Sequence, residues 1–328
     1  MKDIAVIIPA MNAQDTIGRA VASALGQDEV VEVVVVDDAS CDRTAQAARD
    51  ADDGSGRLKI IFSGRNLGPA GARNLAIKRS SAPHIAILDA DDFLLAGRFA
   101  ALADPDADWD LSADNIVFAS AEKARQFAGG SVFDTGGMAQ RLTFERFVRA
   151  NMSRPDRPRG ELGFLKPVIR RSFLEQHGLA YNERLRLGED FELYARMLLA
   201  GARFRIIAAC GYVAVERETS LSANHSAADL AALVAADQRL LRQPLSPFDR
   251  RALAAHHVQC AERWHHRHFL DAKRERGLVR ALAENAALPR LILDAAKGVA
   301  QDKWRERQRR RTTGGAQLPP EPRFLVGP

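Results

Sequence analysis

Residues 84–92 read HIAILDADD, an apolar run, His84–Leu88, that stops against three carboxylates in four residues, Asp89, Asp91 and Asp92. Three further runs share its character: Ile4–Ile8 (IAVII), Val30–Val36 (VVEVVVV) and Leu58–Phe62 (LKIIF). Runs this apolar and this short suit strands buried on both faces, as in a parallel sheet covered by helices. Between them lie Asp15–Leu25, Asp42–Ala51 and Pro69–Arg79, each with helical spacing. Ile17, Val21 and Leu25 fall on one helix face, and Gly68-Pro69 supplies the proline preferred at a first helical turn. The alternation β-α-β-α-β-α-β predicts a doubly wound α/β sheet with right-handed crossovers.

A sheet of this kind binds ligands outside the carboxyl ends of its strands. The segments there are Pro9-Ala10-Met11-Asn12, Asp37-Asp38-Ala39-Ser40 and Asp89-Ala90-Asp91-Asp92. Carboxylates crowded as tightly as Asp89, Asp91 and Asp92 repel one another unless a cation or partner sits among them. A hard ion, Mn2+ or Mg2+, takes one or two carboxylates and fills its remaining positions with phosphate oxygens and water. Such an ion would fix a nucleotide diphosphate. Asp92 is as well placed to cap a helix beginning near Phe93 as to touch an ion. Asp37 and Asp38 offer a carboxylate to a base or ribose, or a cap to the helix near Asp42, for which Ser40 is the more natural residue; which aspartate serves is open. Arg73, in NLGPAGARN (66–74), either reaches a nucleotide or faces solvent. Neither a G-x-G-x-x-G turn nor a Walker A loop is present, which counts against a nicotinamide dehydrogenase and a P-loop NTPase.

The 328 residues, 46% hydrophobic and 27% charged, have the composition of an ordinary globular protein. Farther along, Leu111–Phe118, Phe204–Ala209 and Tyr212–Val215 read as strands. Thr143–Ala150, capped by Thr143, and Glu189–Leu199, stopped by Gly201, read as helices; Met152–Gly163 reads as a loop. From Ser226 the text is helical, punctuated by Pro244, Pro247 and Pro289. The expected organisation is a domain over 1–225 (a nucleotide-binding half, 1–104, and an acceptor-binding half, 105–225), a basic helical region over 226–313, and a disordered tail over 314–328. Residues 250–328 hold 17 Lys/Arg against 8 Asp/Glu, whereas residues 1–249 hold 30 against 34. So basic a rear suggests an anionic partner.

The motifs VIIPAMNAQDTI, VVVVDDAS-CDRT, NLGPAGARN and LDADD, in this order and spacing, resemble the family 2 inverting glycosyltransferases of the GT-A fold. The resemblance is close over about residues 3–100 and looser to about 222. It implies a GT-A-like, doubly wound mixed sheet with a helical C-terminal extension, a UDP-linked sugar donor, and bound Mn2+ or Mg2+. It assigns nucleotide-sugar binding to Pro9, Ala10, Asn12, Asp37, Asp38, Arg73, Asp89 and Ala90, and the metal to Asp91 with Asp89 as the D-x-D pair. LGEDFEL (187–193) matches the family's E-D pair at the head of a later helix. The resemblance therefore makes Asp190 the general base and has Glu189 orient the acceptor; by themselves both residues read as helix-dipole acids. Met11, Ala39 and Cys41 depart from the usual pattern, which bears on donor preference. Lacking a Q-x-x-R-W motif and spans, the chain is expected to add one sugar rather than polymerise.

Similarity to succinoglycan-type glucosyltransferases points to glucose from UDP-glucose, and the leading expectation is transfer in cell-surface or exported polysaccharide synthesis with a lipid-linked oligosaccharide as the acceptor. Other readings are a nucleotidyltransferase using carboxylate-bound Mg2+ and a nucleic-acid-binding protein acting through its basic tail; nucleic acid is not expected as a partner. A cytoplasmic location is expected from the short N-terminal apolar run and the absence of a disulfide framework among Cys41, Cys210 and Cys260. Lys303, Trp304 and Arg305–Arg311 read either as contact with an anionic membrane surface, which would bring the chain to a lipid-linked acceptor, or as a solvated basic tail. The histidines His256, His257, His265, His266 and His268 with Cys260 match no zinc spacing and read as a polar helix surface.

Overall fold

The computed structural model describes residues 3–103, 108–136, 139–153, 160–216, 225–284 and 322–326, with Leu293 and Gly298. The strands are β1 (Ile4–Ala10), β2 (Val30–Asp37), β3 (Leu58–Phe62), β4 (His84–Ile87), β5 (Phe93–Leu94), β6 (Leu111–Ser120), β7 (Phe133–Asp134), β8 (Gln140–Leu142), β9 (Val168–Arg170), β10 (Phe204–Glu216) and β11 (Arg323–Phe324). The helices of the first half are α1 (Ile17–Leu25), α2 (Thr44–Asp50), α3 (Gly68–Arg79), α4 (Arg98–Leu102), α5 (Ala121–Ala124) and α6 (Phe144–Ala150). Then follow α7 (Arg171–Gln176), α8 (Glu189–Leu199), α9 (Ala227–Leu241), α10 (Pro247–Arg276) and α11 (Leu278–Glu284). Two compact units result, one of residues 1–218 with 321–328, the other of residues 219–320.

In the first unit the sheet runs β3-β2-β1-β4-β9-β6-β10-β5. β3, β2, β1 and β4 are mutually parallel, and β9 enters antiparallel between β4 and β6. The fold is thus α/β with a mixed, largely parallel sheet. Ile4–Ile8 and Val33–Val36 are fully buried, the two-sided burial that their apolar runs require. At ~1.5–3 kcal/mol per buried Val or Ile side chain, these strands supply much of the drive for collapse and fix where their carboxyl ends stand.

Three local expectations change. The helix expected near Phe93 is instead strand β5, because the Asp92 carboxylate accepts from the Tyr212 hydroxyl and the Val215 N–H and so draws the chain onto β10. The two strands expected over 204–215 are one, β10, with a register shift around Cys210. There the Asp114 carboxylate accepts from Gly211 N–H at 2.7 Å, and a Cβ on Gly211 would stand 2.6 Å from the Arg98 side chain, so only glycine admits this close approach. Last, β11 pairs antiparallel with β6, with Leu325 buried beside it and Asn115 bonded to both backbone groups of Val326, so 322–326 are ordered where composition suggested disorder.

The second unit contains α9 and α10, capped by Ser226 and Ser246, with Pro247 in the first turn of α10 where it is tolerated. His256 is buried, not on a helix surface, and its Nδ1 lies 2.9 Å from Asp237 Oδ2, with Cys260 Sγ beside the ring. Burial by itself lowers an imidazole, but the hydrogen bonds and charges of Asp237 and Cys260 together outweigh it and raise His256 to about 10. The pair is a buried ion pair tying α9 to α10. No helix among the described residues is long and apolar enough to cross a membrane. Lys303, Trp304 and Arg305–Arg311 lie outside the described residues.

Candidate active site

The carboxyl ends of β1 and β2 are laced together by short polar side chains. Asn12, with φ +50°, accepts at Oδ1 from Cys41 N–H, while its own N–H donates to Ser40 Oγ. Ser40 is therefore occupied as a crosslink and does not cap α2. Asp38 N–H donates to Ala10 O, and Asp37 Oδ1 accepts from Ser40 N–H. Asp38 also meets α3: its two oxygens accept from Leu67 and Gly68 N–H at 2.7 and 2.8 Å, satisfying the first amides of that helix. Pro9, Ala10, Asn12, Asp37 and Asp38 thus share one rim. Met11, half exposed, closes its edge and receives a hydrogen bond from Asn66.

At the end of β4 the three carboxylates part company. Asp92 turns inward, and burial together with the Asp91 and Asp89 charges pushes it well above the usual carboxylate range. Tyr212 joins Asp92 to the turn, since its hydroxyl also accepts from Asp89 N–H. Asp89 turns toward two cations, with Oδ1 3.1 Å from Arg73 Nη2 and Oδ2 2.9 Å from Lys166 Nζ. Burial works to raise Asp89, yet Lys166 and Arg73 hold it well below the ordinary carboxylate value. Asp91 and Ala90 stay at the half-exposed lip, where Asp91 O accepts from Arg19.

α8 brings in the remaining acids. Gly188, at φ +72°, makes the left-handed turn that starts the helix. Glu189 Oε1 lies 2.7 Å from Arg73 Nη1, and Asp190 Oδ2 lies 2.9 Å from Lys166 Nζ. Asp190 Oδ1 is buried and 3.4 Å from Arg73 Nη1, and the same carboxylate interacts with the buried Tyr181 phenol, which burial and Asp190 push well above its ordinary value. The result is one cluster of three carboxylates (Asp89, Glu189, Asp190) and two cations (Arg73, Lys166). Arg73 does not face solvent; it is buried at its centre and packs over the Tyr181 ring. The cluster's excess negative charge and the Asp91 lip present hard oxygen donors, the chemistry that suits Mg2+ or Mn2+.

The sequence reading joined Asp89 and Asp190 only through a resemblance; the fold brings them onto one lysine. Lys166, Tyr181 and Tyr212 were missed. Lys166 had left a signal, as the lone charge inside the apolar run LGFLKPVI (162–169). The tyrosines left none.

A family model described as glycosyl transferase family 2 matches residues 5–156. The chain is 49% identical over 295 residues to the succinoglycan biosynthesis protein ExoU of Rhizobium meliloti, covering 88% of this chain and 86% of that one. It is 36% identical over 96 residues, 29% of this chain and 37% of the other, to an Escherichia coli protein named UDP-Glc:alpha-D-GlcNAc-diphosphoundecaprenol beta-1,3-glucosyltransferase WfgD. Among solved structures, residues 1–349 of S. aureus TarS in complex with UDP-GlcNAc superpose with a TM-score of 0.58 at 22% identity, covering 89% of this chain and 83% of that one. The mannosyltransferase PcManGT from Pyrobaculum calidifontis, in complex with GDP-Man and Mn2+, gives 0.52 at 21% identity, with 92% and 81% covered. These two likenesses extend to the fold.

Proposed function

We propose how the transfer runs from one premise: this chain belongs to glycosyl transferase family 2 and is a glycosyltransferase. The reaction is an inverting displacement. Asp190 Oδ1 takes the proton of an acceptor hydroxyl, and the freed oxygen pair bonds to the anomeric carbon of the donor sugar. The bond from that carbon to the diphosphate breaks, and its electrons depart with the nucleoside diphosphate. A single displacement inverts the carbon. What supports this reading is the state of Asp190: Oδ2 is pinned by Lys166 at 2.9 Å, while the buried Oδ1 makes the looser contact, 3.4 Å to Arg73 Nη1. General-base assistance of this kind contributes about 10²–10⁴-fold.

The rim of Pro9, Ala10, Asn12, Asp37 and Asp38 is the nucleotide subsite, with Asp89 and Ala90 toward the sugar and Arg73 beneath them. Because both Asp38 oxygens already accept from α3, contact with a base would use their remaining lone pairs. Asp91, with Asp89, would hold Mn2+ or Mg2+, which when bound neutralises charge on the leaving diphosphate. Glu189, anchored by Arg73, orients the acceptor.

The donor is UDP-glucose and the acceptor a lipid-linked oligosaccharide in cell-surface polysaccharide assembly; the extended likeness to ExoU and the partial one to WfgD support this. A lipid-borne acceptor calls for a peripheral position at the inner membrane surface. The end of α10 supports one, since the basic Lys273, Arg274 and Arg276 stand just before the exposed Leu278 and Val279.

The test is a donor screen with Mn2+ and lipid-linked acceptors, reading nucleoside diphosphate release by the wild type and by Asp190→Asn. The proposal expects UDP-glucose to be preferred and Asp190→Asn to bind donor yet turn over poorly. Unimpaired turnover by Asp190→Asn would remove the base. Flotation with phosphatidylglycerol vesicles at low and high salt checks the membrane assignment.

A further inference from the structure

The segment LGFLKPVI (162–169) lies against the sheet and is apolar except at Lys166. Leu165 and Val168 on either side are fully buried, and Lys166 is itself buried. A buried ammonium costs several kcal/mol unless good partners surround it. Here Nζ lies 2.9 Å from Asp190 Oδ2 at the head of α8 and 2.9 Å from Asp89 Oδ2 at the end of β4. The backbone behind it is clamped as well. Lys166 O accepts from Arg98 Nη2 at 2.6 Å, and Arg98 is itself fixed by Asp114 through two nitrogens. The lysine is therefore a rigid post joining the donor-side carboxylate to the base.

We propose that Lys166 is a positioning residue for the transfer step: it fastens Asp190 by Oδ2 to Asp89, so that Oδ1 alone is turned to the acceptor hydroxyl. The inference rests on the reading of Asp190 as the base. The alternative partner is in place, since Arg73 Nη1 stands 3.4 Å from Oδ1. Without Lys166 the carboxylate rotates onto that guanidinium, which grips both oxygens of a carboxylate readily, and the basic oxygen is lost to the acceptor. Lysine suits the post because it is a compact charge with three donors, two of which are accounted for by Asp89 and Asp190.

The experiment is a double-mutant cycle on the full chain, using Lys166→Met, Asp190→Asn and the combination. It reads kcat at saturating donor with Mn2+, and donor affinity by calorimetry. Lys166→Met is expected to lose on the order of 10²-fold in kcat, the scale of a misplaced reacting group, with a far smaller change in donor affinity. The combined variant is expected to be no slower than Asp190→Asn alone, because Lys166 acts through that carboxylate. Wild-type kcat in Lys166→Met, a loss confined to donor affinity, or losses that multiply in the combined variant would each overturn the proposal. Should Lys166→Met not fold, Lys166→Gln enters the same cycle. Failure of the base assignment is read separately, from turnover retained in Asp190→Asn alone.

Discussion

Two clusters of buried charge, one in each unit, are built on opposite terms. In the helical unit, Asp237 and His256 form one acid and one base, both buried, with Cys260 Sγ beside the ring. Asp237 Oδ1 has no hydrogen-bond partner among the described residues, but at 0% exposure it offers nothing to solvent. In the α/β unit, Asp89, Glu189 and Asp190 outnumber Arg73 and Lys166, and the Asp89 side chain is 31% exposed. The first arrangement commits its charge to joining two helices. The second carries one more negative charge than its cations neutralise, with Asp89 part-exposed at its edge, which a structural ion pair has no need to do. The proposed chemistry therefore rests on the second cluster, and stability on the first.

Substitutions should separate the two roles. The largest effect is expected at Asp190→Asn, about 10²–10⁴-fold in kcat with donor binding kept, measured by steady-state product release beside donor calorimetry. Next comes Asp91→Ala, which should lower Mn2+-dependent donor affinity by on the order of 10²-fold while leaving the melting temperature near wild type. On the other side, Asp237→Asn should lower unfolding free energy by about 1.5–3 kcal/mol, the worth of a hydrogen bond to a charged group, with kcat unchanged. Loss of turnover there would erase the distinction between the clusters.

A pH effect is smaller and sharper. Because the folded-state value of His256 is raised from 6.5 to about 10, the pair's stabilisation is complete below pH 6.5 and drains away as pH rises toward 10. The difference in urea midpoint between wild type and Asp237→Asn should shrink across that window. A constant difference would mean that His256 is neutral in the fold. Smallest is Met11→Tyr at the exposed rim, expected to change donor KM by only a few-fold, since an exposed aromatic contact contributes about 0.5–1.5 kcal/mol.

The sequence carried the parallel strands because Val33–Val36 and Ile4–Ile8 are buried on both sides, a condition that leaves a continuous apolar run as its record. It carried the acidic strand ends for the related reason that carboxylates next to such runs have no packing role. It did not carry β5, since nothing in Phe93–Leu94 distinguishes two residues paired with β10 from a helix start; the deciding contacts come from Tyr212 and Val215, far along the chain. β9 is three residues long and escaped for lack of a period. Within the site, Asp190 by itself reads as a helix-dipole acid and only the family resemblance made it a base, its link to Lys166 having no local mark, and Asp237 had no local mark linking it to His256. Long-range partners of buried charges leave little trace in local sequence. The lone Lys166 in an apolar run was the exception.

The central claim is that the aspartates of two separate segments serve one donor. Its most direct test is a crystal structure with Mn2+ and a non-transferable UDP-glucose analogue, read by the anomalous signal of the metal and the position of the anomeric carbon. The account predicts the ion against Asp91 and the anomeric carbon facing Asp190 Oδ1 across the space an acceptor hydroxyl would fill. A donor seated with its sugar away from Asp190, or an ion held by neither Asp89 nor Asp91, would contradict it.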